Sequence, residues 1–140
     1  MHQRTIGEIA RDRRPLTKAP EATVADACAA MHQRRVGAVL VVDPAGELLG
    51  IFTGRDAVRC LAEGCDAGHT TLRQVMTHKP VTLAPYQHAI DALRLFEDGG
   101  FRHLPVCEDG KVCGIVSRYD FRAQEHARLD EETGYFEILR

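Results

Sequence analysis

Two pairs of short apolar segments dominate the hydrophobic pattern of the chain. Residues 38–42 and 48–52 form the first pair, and residues 104–107 and 112–116 form the second. Each segment is apolar almost throughout instead of alternating with polar residues, which predicts strands buried on both faces. Turn residues separate the members of each pair, and the Asp-Gly dipeptide at 109–110 is a strong hairpin signal. The pattern therefore predicts two β-hairpins.

Helical periodicity surrounds each hairpin. From Val24 to Met31, apolar residues recur at the i, i+3, i+4 and i+7 positions, and Thr23 precedes them as a suitable N-cap. A second apolar stripe ends at the pair Gly99-Gly100, which is a helix stop signal. The predicted helices cover residues 5–10, 24–33, 55–63, 70–76, 89–97 and 119–129, and short extended segments lie at 16–17 and 81–82.

The two halves of the chain repeat the same order of elements. Residues 15–17 match residues 80–82, and residues 50–56 match residues 114–120. The hairpin turn of the first half is one residue longer, a change of length that a turn tolerates. The register holds on both sides of that turn, so chance similarity is a poor explanation. The sequence predicts the order β-α-β-β-α twice, an α/β fold of the α+β type.

Composition and charge narrow the classes of function. The chain has 140 residues, of which 44% are hydrophobic and 27% charged, and its net charge is -2. This balance is typical of a globular protein and indicates no general attraction to nucleic acid or anionic lipid. Because no apolar run reaches the ~20 residues that cross a bilayer, and no signal peptide is visible, a cytoplasmic location without membrane insertion is expected. We interpret the cluster Arg11, Arg13 and Arg14 as solvated surface, with phosphate contact as the alternative.

The cysteines and histidines show no recognised ligand spacing. There are five cysteines, an odd number, and no C-x-x-C pair, so neither a disulfide framework nor a zinc ribbon is indicated. Four histidines, His32, His69, His78 and His88, could join the cysteines as ligands, but none shows the H-x3-H spacing. No metal is expected, and a metal or redox sensor stays as an alternative hypothesis.

The segment that closes each hairpin carries a resemblance to a known family. Residues 50–56 read Gly-Ile-Phe-Thr-Gly-Arg-Asp, residues 114–120 read Gly-Ile-Val-Ser-Arg-Tyr-Asp, and residues 102–106 read Arg-His-Leu-Pro-Val. Together with the repeated order of elements, these segments resemble the CBS domain over residues 15–127. The chain is similar to a stand-alone tandem CBS-domain pair, often called a Bateman module.

The resemblance implies a fold and a division of the chain. Two CBS repeats pack through their sheets about a pseudo-twofold axis and leave two clefts, one or both of which hold an adenosine-containing ligand. The expected division is an N-terminal segment with a short helix (1–14), repeat 1 (15–66), a linker with a short helix (67–79), repeat 2 (80–127) and a C-terminal tail (128–140).

The resemblance assigns ribose binding to Asp56 and Asp120, the last residues of the two heptapeptides. A carboxylate accepts strong hydrogen bonds from both ribose hydroxyls. The alternative is that each is a first-turn acid favoured by its helix dipole. Thr53 and Ser117, three residues earlier, are predicted either to cap the following helix or to bond ribose or phosphate.

Adenine and phosphate contacts complete the implied site. The adenine contacts are expected at the start of each repeat and at the matching apolar flanks, with simple core packing as the alternative; these residues are Leu16, Thr17, Ile51, Val81, Thr82 and Ile115. The predicted phosphate contacts are Arg55, Arg102, His103, Arg118 and the pair Arg34-Arg35. Arg102 and His103 are favoured among them, with a structural role as the alternative for His103.

The first repeat departs from the phosphate pattern of the second. It has Gly37 and Ala38 where the second repeat has Arg102 and His103. The two clefts are therefore expected to be chemically unequal, so that one binds more tightly or only one binds.

The resemblance and the chemistry together predict a regulatory module. It would bind AMP, ADP, ATP, S-adenosylmethionine or NAD, with AMP or ATP favoured, require no cofactor, and act as a homodimer on a separate partner protein. Ser117, His103 and Asp120 could be considered as a catalytic triad, but Ser117 does not stand in the Gly-x-Ser-x-Gly pattern of a nucleophile elbow. We therefore predict no enzymatic activity. The alternative is an interaction scaffold with empty clefts, for which the apolar residues within 133–139 could contact the chain itself or a partner.

Overall fold

The computed structural model describes residues 2–138, and side chains through residue 132. These residues form two compact units. Unit 1 consists of residues 2–13, 82–106 and 114–138, and unit 2 consists of residues 14–81 and 107–113. No helix among the described residues is long and apolar enough to span a membrane.

Unit 2 contains a four-stranded mixed sheet in the order β1-β2-β3-β4, in which β1 is parallel to β2 and the other neighbours are antiparallel. The strands are β1 (Thr17–Lys18), β2 (Ala38–Val42), β3 (Leu48–Thr53) and β4 (Thr77–His78), and the helices are α2 (Val24–Arg34), α3 (Gly54–Ala62) and α4 (Leu72–Val75).

The core of unit 2 explains its sheet. Val39, Leu40, Val41 and Phe52 are completely buried, as continuous apolar runs in a covered sheet require. The predicted strands of the first hairpin are confirmed. Helix α2 begins at the predicted residue, since Thr23 caps it by accepting a hydrogen bond from Asp26 N at 3.1 Å.

Unit 1 combines the N-terminal helix with most of the second repeat. Its elements are α1 (Ile6–Ala10), α5 (Ala89–Gly99), β5 (His103–Glu108), β6 (Lys111–Ser117), a 3-10 turn (Arg118–Asp120) and α6 (Ala123–Ile138). The predicted Asp-Gly hairpin turn is confirmed, because Asp109 and Gly110 have φ angles of 52° and 81°, as the favoured two-residue turn requires. The tip of this hairpin, residues 107–113, belongs to unit 2, where Val112 N donates to Gly46 O at 3.1 Å.

A separate hydrophobic core holds unit 1 together. Ile6 of α1 is fully buried beside residues of α5 and of both strands, including Phe96, Leu104 and Val116. The backbone ties the N-terminus to the same unit, because Ile6 N donates to Gln87 O at 2.7 Å. Since α1 buries its apolar side here, it belongs to the packing of the second repeat.

The extended segment predicted at 81–82 is not a strand. The chain makes a single parallel bridge one residue later, at Leu83, whose N–H donates to Pro105 O at 2.9 Å. Ala84 N then bonds the Gln87 side chain at 2.7 Å, and Pro85 has no N–H to continue a ladder. The turn therefore begins before a strand can form.

The last helix predicted at 119–129 is also wrong in its bounds. Phe121 is extended, with φ of -104° and ψ of 145°, and separates the 3-10 turn from α6. Its ring is buried and meets Phe96 edge to face, with centroids 5.8 Å apart. Inserting that ring into the core interrupts the helix, which restarts at Ala123 and continues to Ile138. The apolar side chains predicted to be exposed within 133–139 lie outside the described side chains.

Strand β4 was not predicted, and a glycine makes room for it. Gly50 pairs with His78, and a Cβ atom on Gly50 would lie 2.7 Å from Thr77 O. Such a distance is too short for any side chain. Gly114, at the matching position of the second repeat, likewise lets Ala10 of α1 approach β6, since a Cβ on Gly114 would lie 2.9 Å from the Ala10 Cβ.

We expect Gly50→Ala to lower the free energy of unfolding by about 1–3 kcal/mol, because the methyl group collides with the backbone of β4. Gly54→Ala is the matched control: no atom of the residues that the structure describes lies within 4 Å of a Cβ there, and alanine is well suited to the first turn of α3. Urea denaturation of both variants measures the difference. Equal stabilities would contradict the close approach at Gly50.

Candidate functional site

Both motif aspartates stand in capping boxes at the end of a strand. In unit 2, Asp56 Oδ2 accepts hydrogen bonds from Thr53 N at 2.9 Å and Thr53 Oγ1 at 3.2 Å. In return, Asp56 N donates to Thr53 Oγ1 at 3.4 Å. This reciprocal pair satisfies backbone donors at the start of α3. The capping role predicted as the alternative for Thr53 is therefore present.

The second repeat has the same arrangement around a shorter turn. Asp120 Oδ2 accepts from Ser117 N at 2.6 Å, and Ser117 Oγ accepts from Tyr119 N at 3.4 Å. Here the capped element is the 3-10 turn and not an α-helix. In both repeats, one oxygen of the carboxylate thus accepts a hydrogen bond from the backbone N–H of the capping residue, and the other oxygen takes no part in the capping box.

A guanidinium covers the remaining oxygen of each aspartate. Asp120 Oδ1 lies 2.8 Å from Arg13 Nη2, and the Asp120 side chain is only 4% exposed. Asp56 Oδ1 lies 3.4 Å from Arg59 Nη1 of the same helix. Arg59 also donates from Nη2 to Val75 O at 2.9 Å. Both carboxylates are therefore paired, as buried charges must be.

A second arginine of the N-terminal segment supports the Asp120 turn. Arg4 Nη2 donates to Asp120 O at 3.2 Å. The same guanidinium makes a two-point ion pair with Glu125, with Nε–Oε2 at 3.0 Å and Nη2–Oε1 at 2.6 Å. Burial is the largest single influence and raises the pKa of Glu125, but the hydrogen bonds from Arg4 and from the Arg122 backbone, together with the charges of both arginines, lower the pKa overall. The N-terminal segment therefore reaches the motif through two arginines.

His103 lies near this carboxylate with an unused polar atom. Its Nδ1 is buried and makes no hydrogen bond to any described residue. Burial lowers the pKa of His103; the Asp120 charge opposes the shift and the Arg102 charge adds to it. An orphaned buried ring nitrogen is unusual, because its desolvation is not compensated. It is a group that a ligand or a water molecule could satisfy.

The other predicted residues of the second repeat are more open. Arg118 N donates to Arg102 O at 3.3 Å, which brings the two backbones together while both side chains stay exposed. Thr82 is exposed and Ile115 is half-buried. Unit 1 thus brings together, around the ends of β5 and β6, the residues Arg102, His103, Ser117, Arg118 and Asp120.

In unit 2, two predicted residues, Thr17 and Ile51, lie in one row of the sheet. Thr17 is in register with Leu40, and Leu40 is in register with Ile51. Leu16 and Ile51 are buried, so the alternative of simple core packing describes these two side chains. Thr17 and Arg55 are exposed, as is Val81, which is 44% exposed and lies in unit 2.

A cavity of about 860 Å³ lies elsewhere in unit 1. It is bordered by the N-terminal segment, the start of α5 and one side of α6. Its lining mixes basic and acidic side chains, among them Arg4, Arg122 and Glu131. None of the predicted ligand-binding residues lines it, so this cavity and the predicted site are separate features of the unit.

Cys28, Cys60, Cys65 and Cys107 form no disulfide in the described part of the chain. Cys60 is buried against the core of unit 2, and burial raises its pKa. Cys113 is exposed, because alternate side chains of β6 face outward. Among the described residues, no group of three or more His, Cys, Asp or Glu side chains could hold a metal ion.

The sequence did not single out Arg4 or Arg59, and it placed Arg13 in a solvated cluster. No local signal could have found the Arg13–Asp120 pair, because the partners come from opposite ends of the chain. The Arg59–Asp56 pair was accessible, since residues three apart on a helix are neighbours.

The half-buried His103 ring predicts a pH dependence of stability. Because its pKa is lowered in the folded protein, the unfolded chain binds the proton more readily, at the ordinary value of 6.5. The free energy of unfolding should be at its full value above that pH and fall as the pH drops below it. Denaturation at about pH 7.5 and about pH 5.5 measures this difference.

The variant His103→Gln should lose part of that dependence, whereas His126→Gln, which changes an exposed histidine of α6, should retain it. An equal pH dependence in wild type and His103→Gln would contradict a buried, neutral imidazole.

Comparison with known sequences supports the repeat. The family model described as CBS domain matches residues 6–63 and 72–126. The CBS domain-containing protein CBSCBSPB2 of Arabidopsis thaliana is 42% identical over 115 residues, which cover 81% of this chain and 21% of that protein. The chain therefore spans about a fifth of the length of this curated relative.

Comparison with solved structures shows the same fold. CBS domain protein PAE2072 from Pyrobaculum aerophilum, complexed with AMP, has a TM-score of 0.83 at 19% identity, covering 91% of this chain and 98% of that one. The CBS domain pair of protein MJ0100, in complex with 5′-methylthioadenosine and S-adenosyl-L-methionine, has a TM-score of 0.76 at 20% identity, covering 94% and 99%. With two matched repeats that span most of its length, the chain belongs to the CBS-domain family.

Proposed function

We propose that the chain is a regulatory module that binds an adenosine-containing ligand, with the main site at Asp120 in the second repeat. The observation that carries the proposal is the buried Asp120 carboxylate with the orphaned His103 Nδ1 near it. A site with a buried carboxylate and an unsatisfied ring nitrogen is suited to a polar ligand. The structural neighbours complexed with AMP, and with 5′-methylthioadenosine and S-adenosyl-L-methionine, support the class of ligand.

Each part of the ligand has a matching group. The ribose hydroxyls would donate to Asp120 Oδ1, since Oδ2 is held by Ser117 N. The exposed guanidinium groups of Arg102 and Arg118 would contact phosphate, and His103 would offer its free ring nitrogen. Thr82, Val81 and Ile115 would flank the adenine. AMP or ATP is therefore favoured over an adenosyl compound without phosphate.

The first repeat offers a poorer site. Asp56 is covered by Arg59, which is held in place by a second bond to Val75 O. Leu16 and Ile51 are committed to the core, which leaves Thr17, Thr53 and Arg55 as polar contacts. The contacts proposed in this repeat are therefore Thr17, Thr53, Arg55 and Asp56. Binding here is expected to be weaker than in the second repeat, or absent.

The module would act by binding and not by catalysis. A bound ligand shifts a conformational equilibrium only by its difference in affinity between the two states. Such a shift would be read by a separate partner protein, whose identity is open. A cytoplasmic location and the expected division into repeats 15–66 and 80–127 stay predictions from the sequence.

Isothermal titration calorimetry with AMP, ATP, NAD and S-adenosylmethionine tests the proposal. We expect micromolar binding of AMP or ATP by the wild type. Asp120→Asn should weaken it by about tenfold or more, because the charged acceptor for the ribose is lost. Asp56→Asn is the matched control, since it makes the same change in the same kind of capping box, and it should have a smaller effect. Circular dichroism checks that both variants are folded.

Absence of heat with every ligand, for a folded wild-type protein, would contradict ligand binding and favour an interaction scaffold. Equal losses in Asp56→Asn and Asp120→Asn would contradict a main site in the second repeat.

A second feature favours self-association. Val58 and Leu61 of α3 are 67% and 81% exposed, and they lie three residues apart on one face of the helix. Large apolar side chains clustered on a surface are typical of protein interfaces. We infer that this face contributes to a homodimer.

Light scattering tests the homodimer. The wild type should have the mass of a dimer, and Leu61→Glu should shift it to a monomer because a charge enters the apolar contact. The control is Tyr86→Ser, which changes a side chain of unit 1 that is 78% exposed and should leave the mass unchanged. A monomeric wild type, or a Leu61→Glu dimer, would refute this arrangement.

A further inference from the structure

We propose that Arg13 makes the Asp120 site selective for adenosine ligands that carry phosphate. Arg13 occupies the oxygen that a ribose must reach, so that a ligand binds by displacing it, and a phosphate then offers the displaced guanidinium a new partner. The inference rests on the proposed function of the Asp120 site. It adds a specificity-determining residue from the N-terminal segment, outside the heptapeptide motif.

Both oxygens of the Asp120 carboxylate are already engaged within unit 1. Asp120 Oδ2 is held at 2.6 Å by Ser117 N, and Oδ1 is held at 2.8 Å by Arg13 Nη2. With both oxygens engaged, only 4% of the Asp120 side chain is exposed. A ribose hydroxyl therefore reaches Asp120 only after the guanidinium of Arg13 moves away or shares Oδ1.

The guanidinium of Arg13 can move away from Asp120 while its backbone stays in place. The Arg13 side chain is 57% exposed, so the displaced guanidinium returns to water, and the main cost of breaking the pair lies with the buried carboxylate, to which the ribose hydroxyls then donate. Its backbone is nevertheless held, because Arg13 N donates to the carbonyl of Ala10 at 3.0 Å, and Ala10 packs closely against Gly114. The guanidinium can leave Asp120, but it stays tethered beside the site.

The displaced guanidinium of Arg13 needs a new partner for its positive charge. Once displaced, Arg13 is a cation next to the bound ligand. A phosphate group provides a charge-assisted hydrogen-bond acceptor for it. Adenosine and 5′-methylthioadenosine carry no anionic group. S-adenosylmethionine carries a carboxylate, but its sulfonium and ammonium groups place two positive charges near the guanidinium. Losing the pair with Asp120 is thus offset best by ligands that carry phosphate.

Neither of the two other arginines described at these carboxylates can play this part. Arg4 is held by two bonds to Glu125 and is largely buried, with 17% of its side chain exposed. Arg59 covers Asp56 but is held by Val75 O. We therefore assign the selectivity for phosphate-carrying ligands to Arg13, the displaceable cation of the second repeat.

Calorimetry with AMP and with adenosine tests the inference on wild type, Arg13→Ala and Arg11→Ala. In Arg13→Ala, AMP should bind about tenfold more weakly, because a charge-assisted bond to phosphate is lost. Adenosine should bind about threefold more tightly, because no cation has to be displaced. Arg11→Ala removes the same charge from the same exposed segment and should leave the ratio of the two affinities unchanged.

The opposite changes expected for the AMP and adenosine affinities of Arg13→Ala test the two parts of the proposal separately. An adenosine affinity that is unchanged or weaker in Arg13→Ala overturns the displacement, and an AMP affinity that is unchanged overturns the phosphate contact. If folded wild type binds neither AMP nor adenosine, the proposed function fails and this inference falls with it. Arg13→Lys, which keeps the charge and side-chain length, should retain most of the preference for AMP, and its loss would also count against the proposal.

Discussion

The buried carboxylate of Asp120 is the constraint on which unit 1 depends. A carboxylate that is 4% exposed has to be paired, because an unpaired buried charge is strongly destabilising. Its own strand end supplies one partner through Ser117 N, and the N-terminal segment supplies the other through Arg13. Arg4 adds a bond to the Asp120 carbonyl and joins the turn to Glu125 of α6. One acid thus organises a strand end, a turn, a helix and the N-terminus.

The same motif has two different environments in the two repeats. Asp56 is covered by Arg59 of its own helix, which also bonds Val75 O, so its cover is built into unit 2. Asp120 is covered by Arg13, whose side chain is mostly exposed. Similar capping boxes therefore carry different covers, a guanidinium of the same helix at Asp56 and one from the N-terminal segment at Asp120.

Much of the fold could be read from the sequence. The two hairpins, helix α2 and the start of α5 follow from apolar runs, the 3.6-residue period and turn residues, all of which act over a few residues. The bounds failed where a distant contact decides the local conformation. Phe121 breaks the last helix because its ring enters the core against Phe96, and β4 forms because Gly50 admits a neighbouring backbone.

The candidate site divides in the same way. The sequence by itself determined the repeated motif, the paired aspartates at its end and the Arg102-His103 pair that distinguishes the second repeat, because these are patterns of adjacent residues. Only the tertiary structure decided that Arg13 and Arg4 reach Asp120, that Leu16 and Ile51 belong to the core, and that His103 Nδ1 has no hydrogen-bond partner among the described residues. These outcomes depend on contacts between residues far apart in the chain, and burial and charge pairing exist only once those residues are packed together.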